Sequence, residues 1–461
     1  MSPVRRFITP TDPATENREG RSAGARVSLP PASSAPDISR RRVVSQALAA
    51  GVGAALAGSS ARGTAAQSAT PTSVEDASTI ETVSGQAVYT LPRDHRWHGG
   101  LFYENGEYWE WHYWTAFVTD VDTGEEWGLF YTTMRNAFNP ATGEPVVLNY
   151  LSATNFATQT FYPSSRFTTE GGQRVGRPAD STSPDDFEYA ISSSDGLSIL
   201  ERYYHQDERW GFRVASAAIG EHVALEVDVE MVLGAPGYLP TTPTGIEEEG
   251  YSRDGLYNPE TMYGLSYYYY APAMALTGTI STGDETHQVE GSAWLEHQWG
   301  NYSTEDPESY RWRWGSVRFD EGGGINWRQW ERGPDNAPVY HLNHYAIHTP
   351  EGAVTYGYGR DLTYEVIDLW VSPRTGHHYG LYALLQTPIG TFYVSPIVPD
   401  QEIEIPGLSA PLWEGALEVR RDSSDGPLVG RMYMEEQFGV NDPPLPIGGP
   451  LARQLPLSGV N

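Results

Sequence analysis

The strongest constraint on the fold of this chain is a hydrophobic pattern that repeats every second residue. From 223 to 231 the odd positions are apolar, while the even positions from 226 to 230 are acidic. This alternation is typical of a β-strand with one buried and one solvated face. Similar short runs recur at 127–134, 197–204, 273–280, 315–319 and 390–394.

Turn signals separate these runs. Asp122-Thr-Gly124, Asp195-Gly196 and Glu321-Gly-Gly-Gly324 combine residue types that favour turns. After the first 66 residues, no helical periodicity extends beyond about three turns. Short strands joined by Gly- and Pro-containing turns therefore predict an all-β fold of barrels or sandwiches.

The first 66 residues have the layout of an export signal. Ser39-Arg-Arg-Arg-Val-Val44 is a twin-arginine pattern, 47–58 is a run of small apolar residues, and Thr64-Ala-Ala66 resembles a signal-peptidase site. The apolar run is too short for a stable membrane span. We predict twin-arginine export to the periplasm, cell surface or medium, with membrane contact only through this segment; an uncleaved anchor or a disordered tail is the alternative.

The rest of the chain divides by composition. A Ser/Thr/Ala-rich linker occupies 67–84, and a Pro/Gly-rich tail occupies 441–461. Between them, Ala271-Pro272 has the character of a hinge after a long Pro-containing loop. We predict one β-barrel over 85–273 and a second over 274–440.

Two missing amino acids exclude whole classes of function. The chain has no Lys and no Cys, so lysine Schiff bases, P-loops, disulfides, thiolate nucleophiles and Cys-zinc sites are excluded. Its formal net charge of −29 disfavours nucleic acid and anionic membranes as partners. Aromatic residues make up 12% of the chain, which favours the walls of a ligand cavity; cross-strand aromatic pairs are the alternative.

Two segments combine aromatic and ionisable side chains. On a strand, Glu110, His112 and Trp114 share one face, and the aromatic residues at 109, 111 and 113 share the other. We expect one face to line a cavity and the other to pack on a second domain. In the segment GSAWLEHQWG, 291–300, Glu296 and His297 point to opposite sides, which predicts the rim of a pocket at a domain junction.

A third segment, 326–332, places Trp327, Gln329 and Glu331 on one face. Glu331 is therefore a candidate second carboxylate. A buried carboxyl group with a raised pKa can protonate an alkene, and aromatic faces can stabilise the resulting carbocation. The alternative is that Glu296 and Glu331 form structural ion pairs with Arg311, Arg313 or Arg328.

The histidines at the end of this region do not have metal-ligand spacing. His344 and His348 would lie roughly 13 Å apart along one strand, too far for a single ion. We therefore predict no metal site.

The segment 291–300 resembles the G-x-x-W-x-D-H-E-W-G block of the carotenoid 1,2-hydratase and AttH-like family, which also includes fungal hydratases and lipocalin-like pericyclases. Further blocks resemble that family in the same order, and together they cover about residues 96–438. They are 110–115, 267–278, 370–373 and 412–415.

The resemblance implies two packed lipocalin-like antiparallel β-barrels, no cofactor and a hydrophobic, often isoprenoid-derived ligand. Hydratases of the family add water across an isolated trisubstituted double bond. His297 and Trp299 match the block directly, whereas Glu296 and Gln298 stand where the family usually has Asp and Glu. If the proton donor belongs at 296, Glu can serve; if it belongs at 298, an amide cannot.

We therefore expect an exported, cofactor-independent hydratase or cyclase for a lipophilic unsaturated substrate, acting as a monomer or weak dimer. Glu296 or Glu331 is the predicted acid, and His297 the base or the residue that positions water. The alternatives are a lipocalin-type carrier without turnover and a pericyclase or isomerase. The predicted substrate-binding residues are Trp294, Trp299, Trp327, Tyr268, Glu110, His112 and Trp114.

Overall fold

In the computed structural model every described residue lies within the compact unit Ser68–Asn461. The predicted signal, 1–66, and the predicted tail, 441–461, lie outside the described residues. Among the described residues, helices long and apolar enough to cross a membrane are absent. The structure describes residues 79–81, 87–98, 108–136, 146–169, 174–218, 220–248, 265–301, 310–332, 337–340, 342–404 and 411–437.

Three antiparallel sheets make up the described part of the chain, with short 3-10 helices at Arg93–His95 and His205–Asp207. A two-stranded sheet pairs β1 (Thr79–Glu81) with β2 (Ala87–Thr90). The first large sheet contains β3 (Tyr108–Asp120), β4 (Glu126–Asn136), β5 (Val146–Asn155), β6 (Thr160–Thr169), β7 (Arg174–Gly176), β8 (Phe187–Ser192), β9 (Leu197–Tyr204), β10 (Arg209–Ser216), β11 (Leu225–Leu233), β12 (Leu239–Pro240), β13 (Ile246–Glu248), β14 (Leu265–Thr282) and β15 (Glu285–Asn301).

The second large sheet follows in the chain. It contains β16 (Tyr310–Phe319), β17 (Gly324–Arg332), β18 (Ala337–Pro338), β19 (His344–His348), β20 (Val354–Tyr358), β21 (Thr363–Val371), β22 (His378–Thr387), β23 (Gly390–Pro396), β24 (Glu402–Ile403), β25 (Leu412–Arg421) and β26 (Leu428–Gln437).

Both large sheets curl on themselves around an apolar core. In the first, the order β6-β5-β4-β3-β15-β14-β11-β10-β9-β8-β7 brings β6 back to β10, where Arg166 Nε donates to Ser216 Oγ at 3.0 Å. In the second, Trp327 of β17 stacks on Tyr364 of β21 with ring centroids 5.2 Å apart. The predicted all-β fold class with two lipocalin-like antiparallel β-barrels is confirmed, and each large sheet is a curled half-barrel.

The alternation that predicted strands is visible in β11, whose residues alternate between buried and exposed. Val223, which the pattern included, precedes the strand and is 45% exposed. The predicted boundary between 273 and 274 falls inside β14, where the pairing with β15 shifts between Ala271 and Met274. Pro272 lies in this irregularity because proline cannot donate a ladder hydrogen bond. The domain limits stay a prediction. The chain passes from the first large sheet to the second between 301 and 310.

β15 contains the segment 291–300, in which the sequence predicts the site. It pairs with β14 and β3 over most of its 17 residues. Glycines at two positions permit this close pairing, because a Cβ at Gly291 would meet the Phe117 carbonyl oxygen at 2.1 Å and one at Gly300 the Leu265 carbonyl oxygen at 2.3 Å. Its alternate side chains enter either the core of the first sheet or an aromatic cluster between the sheets.

Candidate functional site

The segment 291–300 presents different chemistry on its two faces. Leu295 and Trp299 pack in the core of the first sheet, whereas Trp294 belongs to the aromatic cluster between the sheets. Glu296 and His297 are both buried, and alternation places them on opposite sides of the sheet. The structure therefore contains two groups of ionisable residues rather than one.

The first group surrounds Glu110 inside the first sheet. His297 Nε2 lies 3.0 Å and His98 Nδ1 2.8 Å from Oε1 of this fully buried carboxyl group, and the His98 main-chain N–H donates to it as well. Burial opposes ionisation of Glu110, but His98 and His297 outweigh it and hold its pKa well below the usual range. Glu110 is therefore an ionised carboxylate in the core.

The two histidines carry different charges. Burial, with His112 nearby, lowers the pKa of His297 to about 3, so its ring is neutral. Burial also acts against protonation of His98, but the carboxylates of Glu110 and Asp94 raise the pKa of His98 to about 9. This arrangement balances the Glu110 charge with one cationic imidazole.

His112 and Trp114, which share a face of β3 with Glu110, lie in the same core. His112 Nδ1 lies 2.7 Å from Glu201 Oε2, and Trp114 stacks on Tyr131. Ligand atoms of His98, Glu110 and His297 lie within 4.8 Å of one another, and two imidazoles with a carboxylate suit a first-row divalent ion. The hydrogen bonds among the three residues satisfy them without an ion.

The second group surrounds Glu296 between the sheets. Trp294 Nε1 donates to Oε1 of Glu296 at 2.7 Å, Asn326 Nδ2 of the second sheet donates to it at 3.0 Å, and the Tyr268 hydroxyl bonds Oε2. All three partners are neutral. Burial raises the pKa of Glu296 to about 8 although the hydrogen bonds from Tyr268 and Trp294 act in the opposite direction. At neutral pH this carboxyl group mostly retains its proton.

Aromatic rings enclose Glu296. Trp294 stacks on Tyr270 with ring centroids 4.7 Å apart and planes 5° from parallel, and Tyr113 meets Trp314 edge-on at 5.2 Å. Both pairs belong to the cluster between the sheets. An aromatic surrounding of this kind lowers the local dielectric and offers π faces to a cationic centre.

Glu331 and Trp327 lie in neither group. Both point into the core that the second sheet encloses. There Arg313 Nη1 contacts Glu331 Oε1 at 2.6 Å, and Trp327 packs among apolar side chains. Glu331 thus forms the structural ion pair that the sequence offered as the alternative. Because side chains alternate along β17, Asn326, which precedes Trp327, points to the opposite face of the strand and toward Glu296.

Several polar residues of these groups escaped the sequence reasoning. Asn326 lies one position before the predicted Trp327. Glu414, whose Oε1 accepts a hydrogen bond from the Tyr113 hydroxyl between the sheets, lies within the block 412–415. Glu414 occupies a strand face between two apolar residues, Leu412 and Ala416, which is a detectable signal of a buried carboxyl group. Three further polar residues have no recognisable pattern in the local sequence: His98, Glu201 and Glu435.

Comparisons with known proteins agree with this architecture. A family model described as AttH-like matches residues 82–436. A crystal structure from Nitrosomonas europaea described as an AttH, NE1406, is 22% identical, covers 78% of this chain and 99% of its own, and has a TM-score of 0.59. This likeness concerns the fold.

More distant similarities were found to kievitone hydratase from Nectria haematococca and to CghA. The first is 15% identical, covers 72% of this chain and 89% of its own, and has a TM-score of 0.48. The second is 11% identical, with the same coverage and a TM-score of 0.45. No curated protein matches the sequence.

Proposed function

Because this chain belongs to the AttH-like family, we propose that it is a hydratase or cyclase that protonates a lipophilic, unsaturated, isoprenoid-like substrate between its two sheets. One observation carries the proposal. Glu296 is a buried carboxyl group with a pKa raised to about 8, and aromatic rings surround it. A neutral acid in a low-dielectric aromatic site is suited to give a proton to an alkene.

The proposed first step is a proton transfer. The O–H bond of Glu296 breaks as the π electrons of the double bond form a new C–H bond, leaving a carboxylate and a tertiary carbocation. The aromatic rings of the cluster between the sheets stabilise the cation. Water or a nucleophile within the substrate then captures it, giving hydration or cyclisation.

The role of His297 changes in this proposal. Its ring lies on the opposite face of β15, hydrogen-bonded to Glu110, and burial keeps it neutral. We therefore assign His297 to holding the core of the first sheet rather than to the base. Glu331, paired with Arg313, likewise contributes to the second core.

The test is turnover of acyclic isoprenoids. Wild-type protein is incubated with lycopene, squalene and geranylgeraniol in H2¹⁸O, and products are identified by mass spectrometry. We expect an ¹⁸O-labelled alcohol or a cyclised isomer from at least one of them. Glu296→Gln should lower the rate about 100-fold or more, whereas Glu290→Gln, at an exposed position of the same strand, should not.

Two results would contradict the proposal. Full activity in the Glu296→Gln protein would remove the acid. Binding of these lipids by the wild-type protein without any product would favour the carrier function instead.

A further inference from the structure

We propose that Glu414 and Glu435 form a carboxyl pair that shares one proton and acts as the base of the site in which Glu296 is the acid. The inference rests on the proposed function, and it supplies the group that removes a proton from the attacking water. It assigns both carboxyl groups to one site on the face of the second sheet.

The strand register places the pair. Glu414 and Glu435 are direct partners across β25 and β26, and Trp314 is the partner of Glu435 across β16 and β26. Their strand neighbours Ala416 and Tyr433 pack in the cluster between the sheets. Side chains two positions apart share a face, so both carboxyl groups point toward the first sheet.

Tyr113 connects this pair with the proposed acid. It is the direct partner of Glu296 across β3 and β15, so the two side chains stand next to each other on the same face. Its hydroxyl donates to Oε1 of Glu414 at 2.8 Å. Glu296 and Glu414 therefore lie on either side of one tyrosine.

The pair requires a proton. Glu414 is fully buried, and its Oε2 receives no hydrogen bond from a donor in the described part of the chain. Glu435 is its direct cross-strand partner, so the two carboxyl groups stand side by side and cannot both ionise without strong repulsion; one proton held between them removes that repulsion. Burial and then the neighbouring Glu435 raise the pKa of Glu414 well above its usual value, and burial raises that of Glu435.

The charged and polar groups that face the pair do not neutralise it. The Trp312 indole bonds Glu435. Arg318, on the same face of β16, directs its Nη atoms to the main-chain carbonyl oxygens of Thr115 and Ser292 and to the Thr115 hydroxyl. With one shared proton, the pair is a single negative charge that can accept a second proton.

A separate observation indicates that a polar ligand belongs beside the pair. Trp314 Nε1, Ser316 Oγ and Asn326 Oδ1 are buried and have no hydrogen-bond partner among the described residues. Ser316 is the direct partner of Asn326, and Trp314 that of Glu435, so all three face the same site. Buried polar atoms nearly always have partners, and a water molecule or substrate hydroxyl would supply them.

The proposed second step completes the reaction. The oxygen of water bonds to the carbocation while one of its O–H bonds breaks, and that proton goes to the carboxyl pair. Tyr113 then passes a proton from Glu414 to the Glu296 carboxylate. The net change is addition of water, and both acid and base return to their starting states.

The kinetic test separates base from acid. In D2O, Glu414→Gln and Glu435→Gln should each lower hydration about 100-fold, while deuterium exchange into the recovered alkene, which needs only Glu296, continues. Glu418→Gln, on the same strand β25 but partly exposed, should leave both rates unchanged. If Glu414→Gln does not fold, the partly buried Glu435 position carries the test. Unchanged hydration, or loss of exchange together with hydration, overturns the proposal.

A second measurement needs no substrate. Isotope-edited infrared spectroscopy counts protonated glutamate carboxyl groups at neutral pH. The double variant Glu414→Gln/Glu435→Gln should lose one equivalent relative to wild type, because the pair holds one proton. A loss of two or of none overturns the pair, and this result does not depend on whether the wild-type protein turns over a lipid.

Discussion

Glu110 and Glu296 are two buried carboxyl groups on opposite faces of one sheet. The first is ionised and the second is neutral. Both side chains are at most 2% exposed. Glu110 contacts two imidazoles and is ionised, whereas Glu296 contacts only neutral donors and keeps its proton. Burial alone therefore does not decide the charge of a carboxyl group; the partners on its face decide it.

The comparison assigns different roles to the two faces of β15. On the inner face, charge is balanced and fixed, as expected of a structural polar network in a core. On the outer face, a proton is held in an aromatic site next to further carboxyl groups. The same degree of burial thus stabilises the fold on one side and prepares a proton for transfer on the other.

The largest expected effect comes from replacing the ionised carboxylate. Glu110→Gln removes the nearer of the two carboxylates beside the cationic His98 and leaves only Asp94, 3.7 Å away, which should lower the free energy of unfolding by about 3–5 kcal/mol. Urea denaturation at neutral pH measures this change. Glu296→Gln is the matched control, and at neutral pH it should not lower the free energy of unfolding, because an amide replaces an acid that only the folded state keeps protonated. Equal costs for the two variants would break the comparison.

The pH dependence of stability is the next largest effect. Glu296 titrates near 8 in the folded protein and near its ordinary value of 4.5 when unfolded. Its contribution is therefore complete below about pH 4.5 and is lost as the pH rises toward 8. Relative to Glu296→Gln, wild-type protein should lose about 4 kcal/mol of stability between pH 5 and pH 8. Parallel stability curves for the two proteins would show that Glu296 is ionised throughout.

Removing one donor to Glu296 should have a smaller effect. Trp294→Phe keeps a ring against Tyr270 but deletes the hydrogen bond to Oε1 of Glu296. We expect a loss of about 2 kcal/mol and a further rise in the pKa of Glu296, since that bond favours the carboxylate. Denaturation at several pH values measures both. If the pKa of Glu296 fell in this variant, the result would contradict a hydrogen bond that favours the carboxylate.

Two adjacent tyrosines provide the smallest and most closely matched test. The Tyr269 hydroxyl lies 2.6 Å from His95 Nδ1 and 3.3 Å from His297 Nδ1 on the inner face. Among the residues that the structure describes, the Tyr270 hydroxyl contacts only His348 Nδ1, at 3.3 Å between the sheets. Tyr269→Phe should cost about 1 kcal/mol and Tyr270→Phe about half of that, as measured by thermal unfolding. The reverse order would contradict a more tightly bonded inner face.

Much of this arrangement could be predicted from local sequence. Alternation along 291–300 separates Glu296 from His297, and the family block locates the strand. The partners could not be predicted, because Glu110 and His297 are 187 residues apart and Tyr113 and Glu414 are 301 apart. Pairing of β3 with β15 brings the first two together and packing of the two large sheets the second two, and no local pattern records either. Parity also leaves open which face of β17 is inside, and this is why the sequence offers Glu331 as a second candidate acid and does not identify Asn326 as a donor to Glu296.

The tight pairing at Gly291 and Gly300 has a consequence for how this protein can change during evolution. A single-residue insertion between these glycines would exchange the two faces, placing His297 among the aromatic rings and Glu296 against Glu110. Insertion of two residues would preserve the faces but would move one glycine out of its position of close approach and bring a side chain against the neighbouring backbone. We therefore expect β15 to tolerate substitutions far better than changes in length, and relatives to differ in length mainly in the loops that flank it.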